Sequence, residues 1–574
     1  MGPSGVSSVF DVVHLKARLV PSVPPTAAAP TAAPRPIPRR QGWRGVPGLA
    51  LAALALFLGL ALFGARAHWV EEAGSAERDG YAAQAESILA GELPRDPFRP
   101  AFYPLAAAAV AKLAGVSAFT GARLVSNLAA VALACLAWFF GRRLGGDESA
   151  PRRAEAAAWL AFLLTAVNPN LWILGQHATT DMTFAALAAG TLAAGLAYLE
   201  RPGWRPALAA GALLGLATFT RANALFLVPA LLLAWWLPGA AAGAEKGRWG
   251  GPRRWLHLVG AAGAAVVFLL PHFALRAAAF GDPFHDENWK NLAFKLYGFP
   301  DWSYLERVPF AGPGELLFAD PGAVVSGFVS ELGRFLFGGG LSQLLGTPLH
   351  AVAFVAGAAV AVWAPAGRRR ALWLLFAAAT FLCAVAATFF TWGRLLLVLL
   401  PLGNAFIAAP LAFPGWRERL AGRGPAWLTP RRLAAVFLVA ALGLAALLAV
   451  KTWAFRLPAF VANHPYASVE ALLELEDRTP PGTVLAATSP FLARYIDRPY
   501  VYVPDAFGEE VDEPDLYLVR LRRLLVEEDA AYLVVDPVDL RDRPRSLLEE
   551  APPAPWLEPV QPVREQPVRV WRVE

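Results

Sequence analysis

The feature that most constrains this chain is a succession of long apolar runs. About eleven stretches are long enough for a helix to cross roughly 30 Å of hydrocarbon. They fall at 48–67, 121–141, 155–174, 181–199, 206–221, 222–238, 255–276, 347–364, 371–390, 395–413 and 433–453. With 56% apolar residues and a positive mean hydropathy over 574 residues, the chain reads as an α-helical polytopic membrane protein, not an assembly of soluble domains. Only Arg221 to Asn223 divides the fifth run from the sixth, so 206–238 reads as two helices or as one long bent helix. Residues 101–116 are apolar too, but Pro100, Pro104 and Lys112 suit a helix lying in the membrane interface.

Charge gives these runs a direction. Charged residues are 17% of the chain, and Lys and Arg come in bursts, so the net +6 reflects orientation and not a nucleic-acid partner. The bursts are Arg39, Arg40 and Arg44; Arg142, Arg143, Arg152 and Arg153; Lys246, Arg248, Arg253 and Arg254; Arg368 to Arg370; and Arg417, Arg419, Arg423, Arg431 and Arg432. With eleven spans they all fall on one side, the cytoplasm. Asp79, the turn before Asp181, the loop 277–346 and the C-terminal segment then lie on the opposite face. The two cysteines, Cys135 and Cys383, sit inside apolar runs, and no Cys/His cluster has zinc spacing.

Three regions are expected. Residues 1–45 are rich in Pro and Ala and read as a disordered cytoplasmic tail before an uncleaved anchor, although Ala65-Arg66-Ala67 has the small-x-small form of a cleavage site. Residues 46–453 form the transmembrane domain, with outer loops at 68–118 and 277–346. Residues 454–574 form a small extracytoplasmic α/β domain, with strands at Thr483 to Ala487, Tyr500 to Val503, Tyr532 to Val535 and Val568 to Val573 and helices near 467–477 and 513–526. That domain carries no Gly-rich phosphate loop and no nucleophile elbow, so no catalysis is assigned to it.

Chemistry concentrates in the acidic, polar loop from Glu71 to Arg99. It reads Glu77-Arg78-Asp79-Gly80-Tyr81, then Ala85, Leu89, Gly91, an Arg99-Pro100 step and Tyr103-Pro104 entering an apolar helix. This arrangement resembles the GT-C glycosyltransferases, in particular the family 39-like group of protein mannosyltransferases and the aminoarabinose transferase of lipid A. Gly115, Arg123, Ser126 and Asn127 extend the likeness, as do Thr179-Thr180-Asp181, Gly215-Leu216-Ala217 with Thr220-Arg221, Arg276, Phe280 to Phe284, Asn291, and Arg394 before Pro401. The resemblance covers residues 48–412. Two departures stand out: Asp79 lies between Arg78 and Gly80 where many protein mannosyltransferases have two adjacent acids, and Leu395 follows Arg394 where an aromatic is common.

The resemblance implies transfer of a sugar from a polyprenyl-phosphate donor to a lipid, glycan or protein acceptor, with inversion, at the outer face of the cell (inner) membrane. Asp79 would then activate the acceptor, with Asp181 as a second catalytic acid. Arg221, Arg276, Lys290, Lys295 and Arg394 would meet the phosphate, and Tyr81, Tyr103 and Asn291 would line the substrate site. Some GT-C enzymes use a divalent metal, for which Asp79 and Asp181 are the candidates; no other cofactor is implied. Plainer readings stand beside these. Asp79 reads also as a solvated loop acid or helix cap, and Asp181 as a charge favoured at a helix N-terminus. Arg221 and Arg276 read also as snorkelling anchors, and Lys290 and Lys295 as part of a helix resting on the membrane surface. Two other classes remain open, a transporter or flippase of lipid-linked glycans and a non-catalytic membrane scaffold. A transporter favours charges near the bilayer centre and repeated halves, whereas the notable charges here lie at span ends.

Overall fold

A computed structural model describes residues 46–66, 80–145, 151–237, 252–297, 308–365, 367–389, 391, 393–413, 415–422, 425, 429–462, 467–488, 496–504, 514–535, 544–548, 552–560 and 568–574. The tail expected over 1–45 and the acid Asp79 lie outside them. Residues Pro47–Glu574 form one compact unit.

Each apolar run is helical. By length and composition, six described helices are able to cross a membrane, or nine if each of three bent pairs is one span; Phe102–Ala114, Ala222–Trp236 and Pro348–Trp363 are shorter apolar helices. The count departs from eleven uninterrupted spans because the chain breaks where proline or an extended residue interrupts the helical ladder. The third run bends by 54° between Pro151–Ala166 and Pro169–Gly175. The ambiguity at 206–238 resolves into a break: Trp204–Thr220 ends, Arg221 is extended (φ −158°, ψ 133°), and a 3-10 turn, Ala222–Leu227, leads into Val228–Trp236. The region 277–346, expected as a loop, carries four helices: Lys290–Tyr297, Pro313–Ala319, Pro321–Leu336 and Gly340–Leu345.

Many helix starts share one device, a polar residue followed by proline. Asn168, Asp320, Thr347 and Thr429 each accept a backbone N–H of the first turn, and Pro169, Pro321, Pro348 and Pro430 fill a position that needs no donor. Helices then approach closely through small residues, as expected where lipid gives no hydrophobic drive to associate. A Cβ placed on Gly211 would meet Ala261 O at 1.9 Å, and one on Gly357 would meet Phe406 O at 2.0 Å. Phe102–Ala114 buries Tyr103, Pro104, Ala107, Ala108 and Ala111, mostly against Ala118–Leu144, and leaves Leu113 88% exposed.

One helix is central. In Thr180–Glu200, 78% of the apolar window is buried, against 6% in Arg253–Phe280, so the first is enclosed by protein and the second presents its sides outward. The ends of the central helix are about 28 Å apart at 1.5 Å per residue. Each end carries an acid held by arginines. At the C-terminal end Glu200 pairs with Arg143 and with Arg370 (2.8 Å), and Arg370 also donates to Arg143 O. The clusters at 142–143 and 368–370, both expected on one face of the membrane, therefore meet at this end.

The C-terminal segment folds as expected, with one addition. The helices are Ala467–Arg478 and Pro514–Glu527, and a five-stranded sheet has the order β2-β1-β3-β5-β4. Its strands are β1 (Val484–Ala487), β2 (Tyr500–Tyr502), β3 (Ala530–Val535), β4 (Leu557–Pro559) and β5 (Arg569–Val573). β1 pairs in parallel with β2 and β3, and β5 runs antiparallel to β3 and β4. β4 was not read from the sequence, since three residues ending in Pro559 carry no strand signal. The apolar helix before this segment continues past 453, through a π-helical turn at Lys451–Arg456, into Leu457–Ala462.

The close helix contacts give a stability prediction. Gly211→Val is expected to cost about 1–3 kcal/mol by overpacking, read as a lower apparent Tm in detergent. Gly263→Val, whose Cβ would meet nothing within 4 Å, leaves Tm unchanged. Equal Tm values for the two variants would contradict the packing described.

Candidate active site

At the N-terminal end of the central helix the arrangement of Glu200 is repeated with different consequences. Thr179 is extended, and Asp181 enters the first helical turn, where the aligned peptide dipoles favour a negative charge. The carboxylate is fully buried. Thr179 Oγ1 donates to Oδ2 at 2.9 Å, Arg221 Nη2 lies 2.8 Å from Oδ1, and Arg394 Nη1 lies 3.7 Å from Oδ2. The Arg221 contact is an ion pair off the hydrogen-bond axis, so Oδ1 has no aligned donor among the described residues.

The two arginines reach this acid from different breaks in the helical ladder. Arg221 occupies the extended break after Thr220, and its Nε donates to Thr180 Oγ1 at 2.6 Å. Its Nη1 is buried with no hydrogen-bond partner among the described residues. Such a donor is costly to bury without an acceptor, which makes it a candidate contact for an anionic ligand. Arg394 lies in the short 3-10 turn Gly393–Leu396, and its side chain is 29% exposed against 14% for Arg221. Among the described residues, two guanidinium groups face one carboxylate at this end of the helix.

The tyrosines read from the first loop join this cluster. Tyr81 begins the helix Tyr81–Leu89, and its hydroxyl lies 3.4 Å from Thr180 Oγ1. Its ring packs edge-on against Tyr103, with centroids 5.5 Å apart. Tyr103 OH donates to Ala122 O at 2.8 Å and also lies 2.8 Å from Ser126 Oγ, which in turn donates to His177 O. Tyr103 therefore braces the turn before Asp181.

Other candidates sit elsewhere. Arg276 does not reach Asp181: it is buried and donates to the backbone carbonyls of Asp96 and Arg99. Its effect on the site is indirect, because Arg99 lies over the Tyr81 ring at 5.9 Å. Lys290 is paired with Glu287 at 2.9 Å, Lys295 lies over the Phe294 ring, and Asn291 bonds to Asn288. These three belong to a helix whose preceding turn docks on the 96–99 segment through Glu287 N and Pro97 O. Asp79, two residues before Tyr81 in the sequence, lies outside the described residues.

Asp96 was missed by sequence reading. Its Oδ1 accepts from Phe98 N and Arg99 N, and its Oδ2 from Gln84 and Arg99 side chains, so it folds the segment on which Arg276 closes. The Asp-Pro step of Asp96-Pro97 was the available signal, since an Asp side chain bonds to the backbone that follows it. A divalent metal does not fit the Asp181 side of the suggested metal pair. Two guanidinium groups within 4 Å oppose a second cation there, and the described residues hold no cluster of three metal-ligating side chains.

The fold and this end of the bundle define a class: a multi-pass membrane protein with a buried acid and two arginines at one end of its central helix. Residues 99–273 match the model of the family described as dolichyl-phosphate-mannose-protein mannosyltransferase. That stretch contains Tyr103, Asp181 and Arg221; Tyr81 and Arg394 lie outside it. No curated protein matches the chain. Among solved structures the chain is similar to ArnT from Cupriavidus metallidurans bound to undecaprenyl phosphate, at 18% identity and TM-score 0.46, covering 93% of this chain and 98% of that one. It is also similar to the oligosaccharyltransferase AglB from Archaeoglobus fulgidus in complex with an inhibitory peptide and a dolichol-phosphate, at 14% identity and TM-score 0.47, covering 84% and 69%. At such identities and scores these two likenesses bear on neither the chemistry nor the site.

Removing one member of a buried ion pair strands the other, at about 3–5 kcal/mol. Asp181→Ala is therefore expected to lower the apparent Tm, and adding Arg221→Leu to recover part of the loss. Thermal unfolding of the two purified variants checks this, and no recovery in the double variant would contradict the pairing.

Proposed function

We propose that the protein transfers a sugar from a polyprenyl-phosphate donor to an acceptor on the extracytoplasmic face of the membrane, with inversion at the anomeric carbon. The observation that carries this reading is the convergence of Arg221 and Arg394 on buried Asp181, with one Arg221 N–H lacking an acceptor among the described residues. The family matched over residues 99–273 is described by a sugar carried on a polyprenyl phosphate, which is the kind of anion such a site suits.

In this reading Arg221 and Arg394 hold the donor phosphate. The donor is a phosphodiester with one negative charge; as the bond from C1 to the phosphate oxygen breaks, a second charge develops on the leaving group. The guanidinium groups are fixed where that charge appears, so they stabilise the transition state more than the ground state. Asp181 orients both arginines and keeps the site from holding the product phosphate too tightly. The acceptor oxygen attacks C1 from the face opposite the phosphate and inverts it, and the acceptor's proton passes to a carboxylate within hydrogen-bond reach. Asp79 is proposed as that carboxylate, with Tyr81 joining its loop to the site. Sugar and acceptor are set by pocket contacts scattered along the chain.

The orientation follows from the arginine clusters: the N-terminus and the Glu200 end face the cytoplasm, and the Asp181 end and the sheet face outward. The test is transfer from a panel of labelled polyprenyl-phosphate sugars by purified protein in lipid. Arg221→Lys keeps the charge but loses the planar fork, and is expected to lower turnover by on the order of 10²-fold. Asp79→Asn is expected to reduce turnover at least as far while leaving donor binding intact. Undiminished transfer by Asp79→Asn would remove that residue from the mechanism, and the absence of transfer from every donor would contradict the reading as a whole.

A further inference from the structure

Arg394 is held in place by residues that no motif singles out. The helix Arg368–Ala386 ends eight residues before it; Ala387, Thr388 and Phe389 still donate to carbonyls of its last turn, whereas the N–H of Thr391 takes a partner from another helix. Phe389 there has φ 57°, an uncommon backbone conformation for a bulky residue. It is buried, with its ring against Gly327, where an added Cβ would come 3.0 Å from the ring carbons. Thr391, also buried, donates its backbone N–H to Glu331 Oε2 at 3.0 Å and its hydroxyl to the same oxygen. Arg334 completes the group, bonding to Glu331 and, at 3.3 Å, to Thr391 Oγ1.

Gly327, Glu331 and Arg334 belong to one helix, Pro321–Leu336, at spacings of four and three that put them on a single face. That face grips the segment at Phe389 and Thr391, and Arg394 follows three residues later. Arg394 is the more exposed and more distant of the two arginines on Asp181.

We infer that Glu331 is a positioning residue for the donor phosphate: through Thr391 it fixes the turn that carries Arg394 to the active-site end of the central helix. This rests on the reading that Arg394 meets the donor phosphate, and it adds a helix from the 277–346 region to the donor site. Glu331 makes no contact with the phosphate in this account. Its side chain is 15% exposed, and its role is to satisfy Thr391.

The test uses the full-length protein in lipid nanodiscs, with the affinity for a short-chain polyprenyl phosphate measured by titration. Glu331→Ala is expected to weaken binding roughly tenfold, Thr391→Val to weaken it less, and Thr391→Ser to retain wild-type affinity. In an Arg394→Ala background the Glu331→Ala change is expected to cost nothing further, because its effect passes through Arg394. A merely structural loss would persist in that background. Should Glu331→Ala fail to fold, Thr391→Val and Thr391→Ser in the two backgrounds give the same comparison. Wild-type binding by Arg394→Ala would sink the phosphate reading itself. Weakened binding by Arg394→Ala, together with either unaffected binding by Glu331→Ala or Thr391→Val or an undiminished penalty in the double variant, would overturn the positioning role alone.

Discussion

The carboxylate of Asp181, buried at the end of the most enclosed helix and held by two arginines, is the interaction around which this end of the molecule is organised. A charge in that position is tolerated only with partners, and the partners come from parts of the chain far apart in sequence. Arg221 reaches it because the helix before it stops one residue earlier; Arg394 reaches it from the turn after Phe389. The first break interrupts what the apolar pattern presents as nearly continuous span, and the second falls between the ninth and tenth runs. Irregular backbone in such a protein is expected where it borders a polar site and is enclosed by protein.

The two ends of the central helix show how one device serves two ends. Glu200 and Asp181 are both acids clasped by two arginines. At Glu200 the cations come from clusters assigned to the cytoplasmic side and tie three helices together. At Asp181 one guanidinium N–H has no acceptor among the described residues, and Thr180, which accepts from Arg221 Nε, has the Tyr81 hydroxyl beside it. Glu200 Oε1 is likewise without a hydrogen-bond partner among the described residues, so the two ends differ in the residues beside the clasp and not in how fully it is satisfied.

Much of the fold was legible because its signals are local. Apolar runs mark helices, polar-Pro pairs such as Asn168-Pro169 and Thr347-Pro348 mark their starts, and the β-branched runs of the C-terminal segment mark four of five strands. What escaped depends on distant partners. The helix Pro321–Leu336 was read as loop because Gly322, Gly327 and Gly333 dilute its apolar face, and β4 exists only through pairing with β5. The site followed the same division. Asp181, Arg221, Arg394 and Tyr81 carry recognisable neighbours in sequence and do meet. Arg276 carries an equally recognisable neighbourhood, yet closes on the carbonyls of Asp96 and Arg99, because a motif fixes which residue is present and not which acceptor lies within its reach. Glu331 has no motif, and its link to Arg394 exists only once the chain is folded.

The most direct test of the account is the position of the phosphate in a structure of this protein determined with a polyprenyl phosphate bound. The account predicts the phosphate oxygens within hydrogen-bond distance of Arg221 and Arg394, with the Arg221 Nη1 donor now paired. A phosphate held at the Lys290–Tyr297 helix or at the Glu200 end, with the Asp181 cluster unchanged, would contradict it.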